Sequence, residues 1–265
     1  MVTANILSII VPAYKQEKTI VKDILRIKNA LGGLRYKSEI IVVVDGMIDG
    51  TFQKAKKLNS KTLRVVGYKK NHGKGYAIRY GMVRAKGNII GFMDSGMDIN
   101  PNSLSMLLEH FEWYNADAIV GSKRHPVSKV SYPFDRKIIS ILSQIFIRIL
   151  FGLNIRDTQV GMKFFRREVI EDVLPRLLVK QFAFDIEILA VSFNLGYKRI
   201  FEAPIELDFN FERSFVSQNL AQAILRTLWD TLAIYYRLKI LRYYDDGNKR
   251  KWKYDPDLNF KVNVG

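Results

Sequence analysis

The chain of 265 residues contains no cysteine. Disulfides, thiolate zinc sites and a cysteine nucleophile are thereby excluded, a composition that suits a reducing interior or a hot habitat. Histidine is nearly as scarce: His72, His110 and His125 stand apart, and a histidine-rich metal site is not expected. Acids are outnumbered, 26 against 42 lysines and arginines, which leaves a formal charge of +16. A surplus of that size asks for an anionic partner, whether nucleic acid, a phosphorylated substrate or anionic lipid headgroups. Long apolar runs are missing too. The longest uncharged stretch, Met1 to Tyr14, falls short of the roughly 18 to 20 apolar residues that a membrane span requires. It carries no basic leader and alternates as "NILSIIVPAY", so it reads as a first strand and not a signal peptide, with the mature chain expected to start at Met1. No low-complexity stretch, internal repeat or flexible linker interrupts the sequence, and its 48% hydrophobic content can bury a full core.

What is present, up to residue 121, alternates short β-rich apolar runs with helical patterns. Strands are expected over 6–12, 39–44, 62–68, 89–93 and 117–121, and helices over 18–31, 50–58, 75–85 and 102–114. Runs such as "IIVVV" are apolar at successive positions, as they must be where helices cover both faces of a parallel sheet. The pattern is that of an α/β open sheet, in which ligands collect beyond the carboxyl ends of the strands. Tyr14, Asp45, Asp94 and Arg124 each follow an expected strand closely.

Beyond Gly121 a basic loop, 123–137, leads into "IISILSQIFIRILFGL", whose Ile138, Ile141, Leu142, Ile145 and Ile149 recur at helical spacing. Residues 217–244 read as one long helix mixing Leu225, Leu228, Trp229, Leu232, Tyr235 and Tyr236 with Arg226, Arg237, Lys239 and Arg242, followed by a basic tail, "NKRKWKYD". Basic residues interleaved with aromatics suit an interfacial helix on an anionic membrane. The same pattern also suits helices packed on the core or on a second subunit.

Three stretches offer chemistry. In "KKNHGKGYAIRYG", Gly73 and Gly75 let the backbone approach a ligand while Lys74 brings an ammonium to the mouth of a helix, a natural place for phosphate although no Walker motif is present. In "VVVDGMIDGT", Asp45 sits at a strand end where a carboxylate can accept from a base or ribose; Asp49 is read as part of the turn into the next helix. In "GFMDSGMDIN", Asp94 and Asp98 leave an apolar strand just ahead of Pro101. Oxygen-only ligands favour magnesium, manganese or calcium, and magnesium takes one or two protein carboxylates while phosphates and waters complete its shell. Asp98 with Pro101 can equally open the helix that follows.

In this order, the pieces "SIIVPAYKQEKTI", "VVVDGMIDGT", "NHGKGYAIRYGMVRAKGNIIGFMDSGMD", "GSKR", "RDTQVGMKFFRREV" and "FAFDIEILAVSFNLGYKRIFEAPIE" resemble family 2 glycosyltransferases of the GT-A fold, more narrowly the dolichyl-phosphate mannose and glucose synthases. The resemblance covers the chain to about residue 215, and the run from Asn71 to Gly87 leans toward the glucose branch. It implies a GT-A domain over 1–215, with an open, mostly parallel twisted sheet flanked by helices. Residues 216–265 would then be an amphipathic helix and basic tail for membrane or oligomer contact.

By this resemblance Pro12, Tyr14 and Glu17 line the donor nucleotide pocket, Asp45 holds the base or ribose, and Lys74 and Arg213, with Ser214, lie near the nucleotide. Asp94 and Asp98 would hold a divalent cation, magnesium or manganese; Gly96 stands where the family's D-x-D motif has its second acid, and Val44 and Met47 replace an acid and a serine. Arg124, Arg136, Asp157 and Gln159 match positions that face the transferred sugar and the acceptor. Asp185 and Glu187 would lie close to the reaction centre or tie the fold together. The implied activity is transfer of glucose or mannose from a nucleotide-sugar to a polyprenyl or dolichyl phosphate with inversion. A lipid phosphate, with a second pKa of about 6, arrives ionised and needs no base. The enzyme would dock peripherally on the cytoplasmic face of a membrane.

Two other readings stay open. A soluble sugar or protein hydroxyl as acceptor would require a general base such as Asp157 or Asp185, and the departures at 44, 47 and 96 leave room for a nucleotide-binding relative without activity. Nucleic acid is not expected as a partner, because the basic residues are spread along the chain and no nucleic-acid-binding signature appears.

Overall fold

The computed structural model describes residues 6–96, 99–128, 134–207, 220–247, 251–256, 258 and 260–264, with the side chains of 134–139, 220–224, 251, 252, 260, 261, 263 and 264 outside that description. Strand β1 (Ile6–Ala13) is followed by α1 (Ile20–Gly32), β2 (Lys37–Asp45), α2 (Thr51–Lys56), β3 (Leu63–Tyr68), α3 (Lys74–Met82), β4 (Ile89–Met93), α4 (Ser103–Trp113) and β5 (Ala118–Ser122). Every element expected before residue 121 is present, in order. Then come α5 (Phe134–Phe151), β6 (Met162–Arg166), α6 (Arg167–Val173), a 3-10 turn (Leu174–Arg176), α7 (Phe184–Asn194), β7 (Ile200–Pro204), α8 (Leu220–Tyr235) and a hairpin of β8 (Lys251–Asp255) and β9 (Phe260–Val264).

The strand order is β3-β2-β1-β4-β6-β5-β7, parallel throughout except for β6, which runs antiparallel to both neighbours. The apolar run of β2 explains itself in the packing. Ile41 and Val43 enter one core with α3, α6 and α7, whereas Ile40, Val42 and Val44 enter a second core with α1 and α4 on the opposite face. Alternate side chains of a strand point to opposite faces, so a strand covered on both sides is apolar at every position. The antiparallel β6 has a positional consequence. Its rung Met93↔Met162 brings Gly161 beside the exit of β4, and the next rung sets Lys163 against Phe92.

The C-terminal region differs from the expected single helix and tail. After Tyr235 the chain makes a π-helical turn, Tyr236–Ile240, and then leaves the helix through Arg242, whose φ is 48°. The reason lies in Tyr244, which is fully buried: its hydroxyl donates to Glu187 Oε1 at 2.7 Å, and its carbonyl accepts from Arg176 Nη1 at 2.9 Å. A continued helix could not deliver it there. Part of the basic tail is strand, Lys251–Asp255 pairing with Phe260–Val264. Among the described residues no helix is long and apolar enough to cross a membrane.

Candidate active site

Asp94 stands one residue beyond β4, its backbone N–H donating to Gly161 O at 2.8 Å. Its Oδ2 accepts from Lys74 Nζ at 3.0 Å, while Oδ1 is buried and has no hydrogen-bond partner. A Cβ on Gly161 would lie 2.0 Å from Asp94 Oδ2, so only glycine leaves room for this carboxylate. Lys74 is the first residue of α3, launched from Gly73 at φ 101°, a conformation that side-chain-bearing residues rarely adopt. The ammonium also donates to Asp185 Oδ2 at 3.1 Å, and Asp185, in the first turn of α7, takes a second lysine, Lys163, on Oδ1.

Lys163 is wholly buried in β6 and donates as well to Val160 O at 2.6 Å. Burial pushes its pKa below the ordinary lysine value, Asp185 opposing and Lys74 reinforcing the effect. Burial works against the Lys74 ammonium too, but Asp185 and Asp94 together outweigh it and hold its pKa above the usual range. Lys163 is the residue that sequence reasoning missed. Its one signal is a lone cation inside the apolar run "VGMKFF".

Asp45, 3% exposed, closes the next loop. It accepts from His72 N at 2.7 Å on Oδ1, and on Oδ2 from Gly73 N and Asn71 Nδ2, both at 2.9 Å. Its carboxylate therefore shapes the loop that launches Lys74. Pro12 accepts from Ser95 Oγ at 2.6 Å through its carbonyl, Ser95 lying beside Asp94, and the exposed Tyr14 follows at the end of β1. Glu17 accepts from Gly50 N at 3.1 Å and pairs with Lys54 at 3.1 Å, which, with Lys54 foremost, lowers its pKa.

Arg124 follows β5 and donates through Nη1 to the carbonyls of Ser140 (3.2 Å) and Arg156 (3.0 Å), pinning the first half of α5 to the loop at 152–157. Asp157 is half-buried with its backbone N–H on Glu202 Oε1 at 3.2 Å; burial pushes its carboxyl above the usual range despite Lys123 and Lys163. Gln159 is exposed. Glu187 faces the interior, bound to Leu178 N, Val179 N and the Tyr244 hydroxyl, and so ties α7 to its surroundings. Asp98, Arg213 and Ser214 lie outside the described residues, as does the side chain of Arg136 on α5.

Among the described residues no group of three or more histidines and acids converges as a cation cage. The unengaged Oδ1 of Asp94 nevertheless fits a magnesium or manganese ion that takes one protein carboxylate and fills the rest of its shell from phosphate oxygens and water.

Known proteins resemble the chain in sequence and in fold. The chain is 29% identical over 205 residues to a dolichyl-phosphate beta-glucosyltransferase of Dictyostelium discoideum, covering 72% of this chain and 63% of that one. It is 32% identical to the Drosophila melanogaster protein of the same name (71% and 63% covered), and 34% identical over 170 residues to a dolichol-phosphate mannosyltransferase of Pyrococcus furiosus (63% and 47% covered). The chain thus spans less than two thirds of the length of these relatives. Glucosyl-3-phosphoglycerate synthase of Mycobacterium tuberculosis, solved with Mn2+, UDP and phosphoglyceric acid, superposes with a TM-score of 0.64 at 19% identity, covering 98% of this chain and 87% of that one. Mannosyl-3-phosphoglycerate synthase of Rubrobacter xylanophilus gives 0.65 at 14% identity, with 98% and 84% covered, and at these identities the likeness is one of fold. The profile described as "Glycosyl transferase family 2" matches residues 8–174, which is more than half of the sequence and takes in Asp45, Lys74, Asp94 and Lys163, and the chain belongs to that family.

Proposed function

We propose that the protein transfers a hexose, glucose or mannose, from a nucleotide-sugar to a polyprenyl or dolichyl phosphate with inversion. The observation that carries the reading is the Asp94–Lys74 pair at the carboxyl end of β4, one carboxylate oxygen held by an ammonium and the other unengaged. A phosphate oxygen of the lipid attacks the anomeric carbon in line. The new bond is phosphate oxygen to carbon, and the bond to the nucleoside diphosphate breaks with its electron pair leaving on the diphosphate. The acceptor is already an anion, so the protein's task is to bring two anions together and to stabilise the leaving charge. Lys74 does this from α3, Arg124 and Arg136 grip the lipid phosphate, and Asp45, Pro12, Tyr14, Glu17 and Arg213 frame the nucleotide. Asp94, with Asp98, would hold a magnesium or manganese ion, which when bound offsets diphosphate charge. Asp157 and Gln159 face the sugar and acceptor.

The acceptor's tail resides in a bilayer, and the enzyme docks peripherally, on the cytoplasmic face. Supporting this are exposed apolar side chains on α5 (Leu142, Ile145, Ile149) and on α8 (Leu225, Leu228, Trp229, Leu232), set in a chain of charge +16.

The test incubates the protein with radiolabelled UDP-glucose or GDP-mannose, dolichyl phosphate and manganese, and measures label entering the organic phase. Transfer from one donor and its loss in Asp94→Asn are expected; turnover unchanged by that substitution removes Asp94 from the mechanism. The raised carboxyl of Asp157 favours one rival, a hydroxyl acceptor served by a general base. A rate that rises with a single carboxylate pKa supports it, whereas a rate flat between about pH 6 and 9 favours the lipid phosphate, which needs no base.

A further inference from the structure

Four side chains alternate in sign from the core outward. Lys163, Asp185, Lys74 and Asp94 are joined in that order, and their exposure rises along the series from 0% through 2% and 16% to 43%. Both inner members are expensive for the fold. A buried pair of charges loses hydration that its mutual attraction only partly restores, and apolar replacements of similar volume are often neutral or stabilising. Hydrocarbon would suit the place: Met162, Phe164 and Phe165 flank Lys163 on β6, all fully buried, and Phe92 and Val120 face it across the sheet. Stability therefore does not explain a lysine at 163.

Geometry does. Asp185 has two oxygens and each is held by a different lysine, Lys163 from beneath and Lys74 from the site side. The Phe92 ring lies 5.1 Å from Lys163 Nζ and 5.6 Å from Lys74 Nζ, giving both ammoniums an aromatic neighbour. With Lys163 in place, Asp185 presents one oxygen toward the site, and Lys74 can reach Asp94 while still bound. Without it, Asp185 would be a buried acid with a single cation, which would draw Lys74 inward onto both oxygens and away from Asp94.

We infer that Lys163 is a positioning residue for sugar transfer: through Asp185 it holds the Lys74 ammonium out where the donor's diphosphate is bound. The inference rests on the function proposed above. Of the two lysines in the series Lys74 is the outer one, 16% exposed against 0% for Lys163, and so the one that a diphosphate can reach. Lys163 itself touches neither substrate nor Asp94.

The experiment compares the affinities of nucleoside diphosphate and monophosphate, UDP against UMP and GDP against GMP, by calorimetry in EDTA, alongside melting temperature. The protein as it stands is expected to prefer the diphosphate of one pair. Lys163→Met should lose roughly tenfold or more of that preference, the scale of one charge-assisted hydrogen bond, and on a Lys74→Met background it should change the ratio no further. The double variant Lys163→Met/Asp185→Asn, which removes both inner charges, should regain melting temperature without regaining the preference. It keeps the test decisive if Lys163→Met does not fold. A folded variant, single or double, with an unaltered diphosphate preference overturns the inference and leaves Lys163 a structural residue. Failure of the unsubstituted protein to bind any of the four nucleotides, in EDTA and again with manganese added, overturns instead the proposed function on which it stands.

Discussion

Gly161→Ala probes the site without replacing any charged group. The new Cβ would lie 2.0 Å from Asp94 Oδ2 and 2.3 Å from Cγ, where contacts under 3.0 Å do not occur. The carboxylate must retreat by about an ångström, enough to take its 3.0 Å bond from Lys74 out of range and to re-aim the unengaged Oδ1. Displacements of that size at a reacting centre cost about a hundredfold in rate. The stability cost should sit at the low end of the roughly 1–3 kcal/mol of overpacking, because Asp94 is partly exposed and can yield toward solvent. Steady-state transfer to dolichyl phosphate and urea denaturation separate the two effects. Gly32→Ala, whose Cβ would meet nothing within 4 Å, serves as the control and should match the unsubstituted protein in both. If kcat/KM of Gly161→Ala stays within a few-fold of the original, the placement of the Asp94 carboxylate does not govern the reaction and the reasoning fails.

Asp45→Ala should cost about 1–3 kcal/mol by leaving the His72 and Gly73 N–H groups unpaired, and should weaken nucleotide binding with it; full stability by urea denaturation would count against the loop assignment. Glu187 is buried and its carboxyl is pushed above the usual range by that burial, its hydrogen bonds from Tyr244, Leu178 and Val179 notwithstanding. Since the folded state binds its proton more tightly than the unfolded one, its stabilising contribution is complete below the unfolded value and is lost as pH rises through the folded one. The stability gap between the original and Glu187→Gln, from denaturation curves at several pH values, should narrow as pH rises; a widening gap refutes it. On α8, Leu225→Glu with Trp229→Glu should cut sedimentation with anionic vesicles by more than about tenfold, since each side chain contributes roughly 1.5–3 kcal/mol when buried in lipid. Unchanged partitioning would dismiss that surface.

The first half of the fold was legible because the inner strands β1, β2 and β4 are buried on both faces, whereas helices α1 and α4 bury one face only. Continuous apolar runs such as Ile40–Val44 stand out against amphipathic stretches, and the strand tips then mark the site. Periodicity failed where a distant partner decides. The pattern of 217–244 continues past Ile240, yet the helix stops there because Tyr244 is drawn in by Glu187, 57 residues earlier, and by Arg176. Strand β6 was hidden for a related reason. A lysine in its middle argues against a buried strand, and the acid that makes it tolerable comes 22 residues later on a helix.

The same distinction separates the two kinds of charge in this chain. Along Lys163, Asp185, Lys74 and Asp94 the signs cancel, so the site contributes nothing to the formal +16. That surplus belongs to other, mostly solvent-facing residues, where it is screened over about 10 Å by ordinary salt and acts on approach and orientation toward an anionic surface. Inside, the Lys74 ammonium is held by two named neighbours at about 3 Å, Asp94 and Asp185, and its effect depends on their own anchorage. Composition reports the first kind in full. The second requires knowing the tertiary pairing, because it is the antiparallel rung Phe92↔Lys163 that sets a lysine of β6 beneath the ammonium carried by α3, with Asp185 between them.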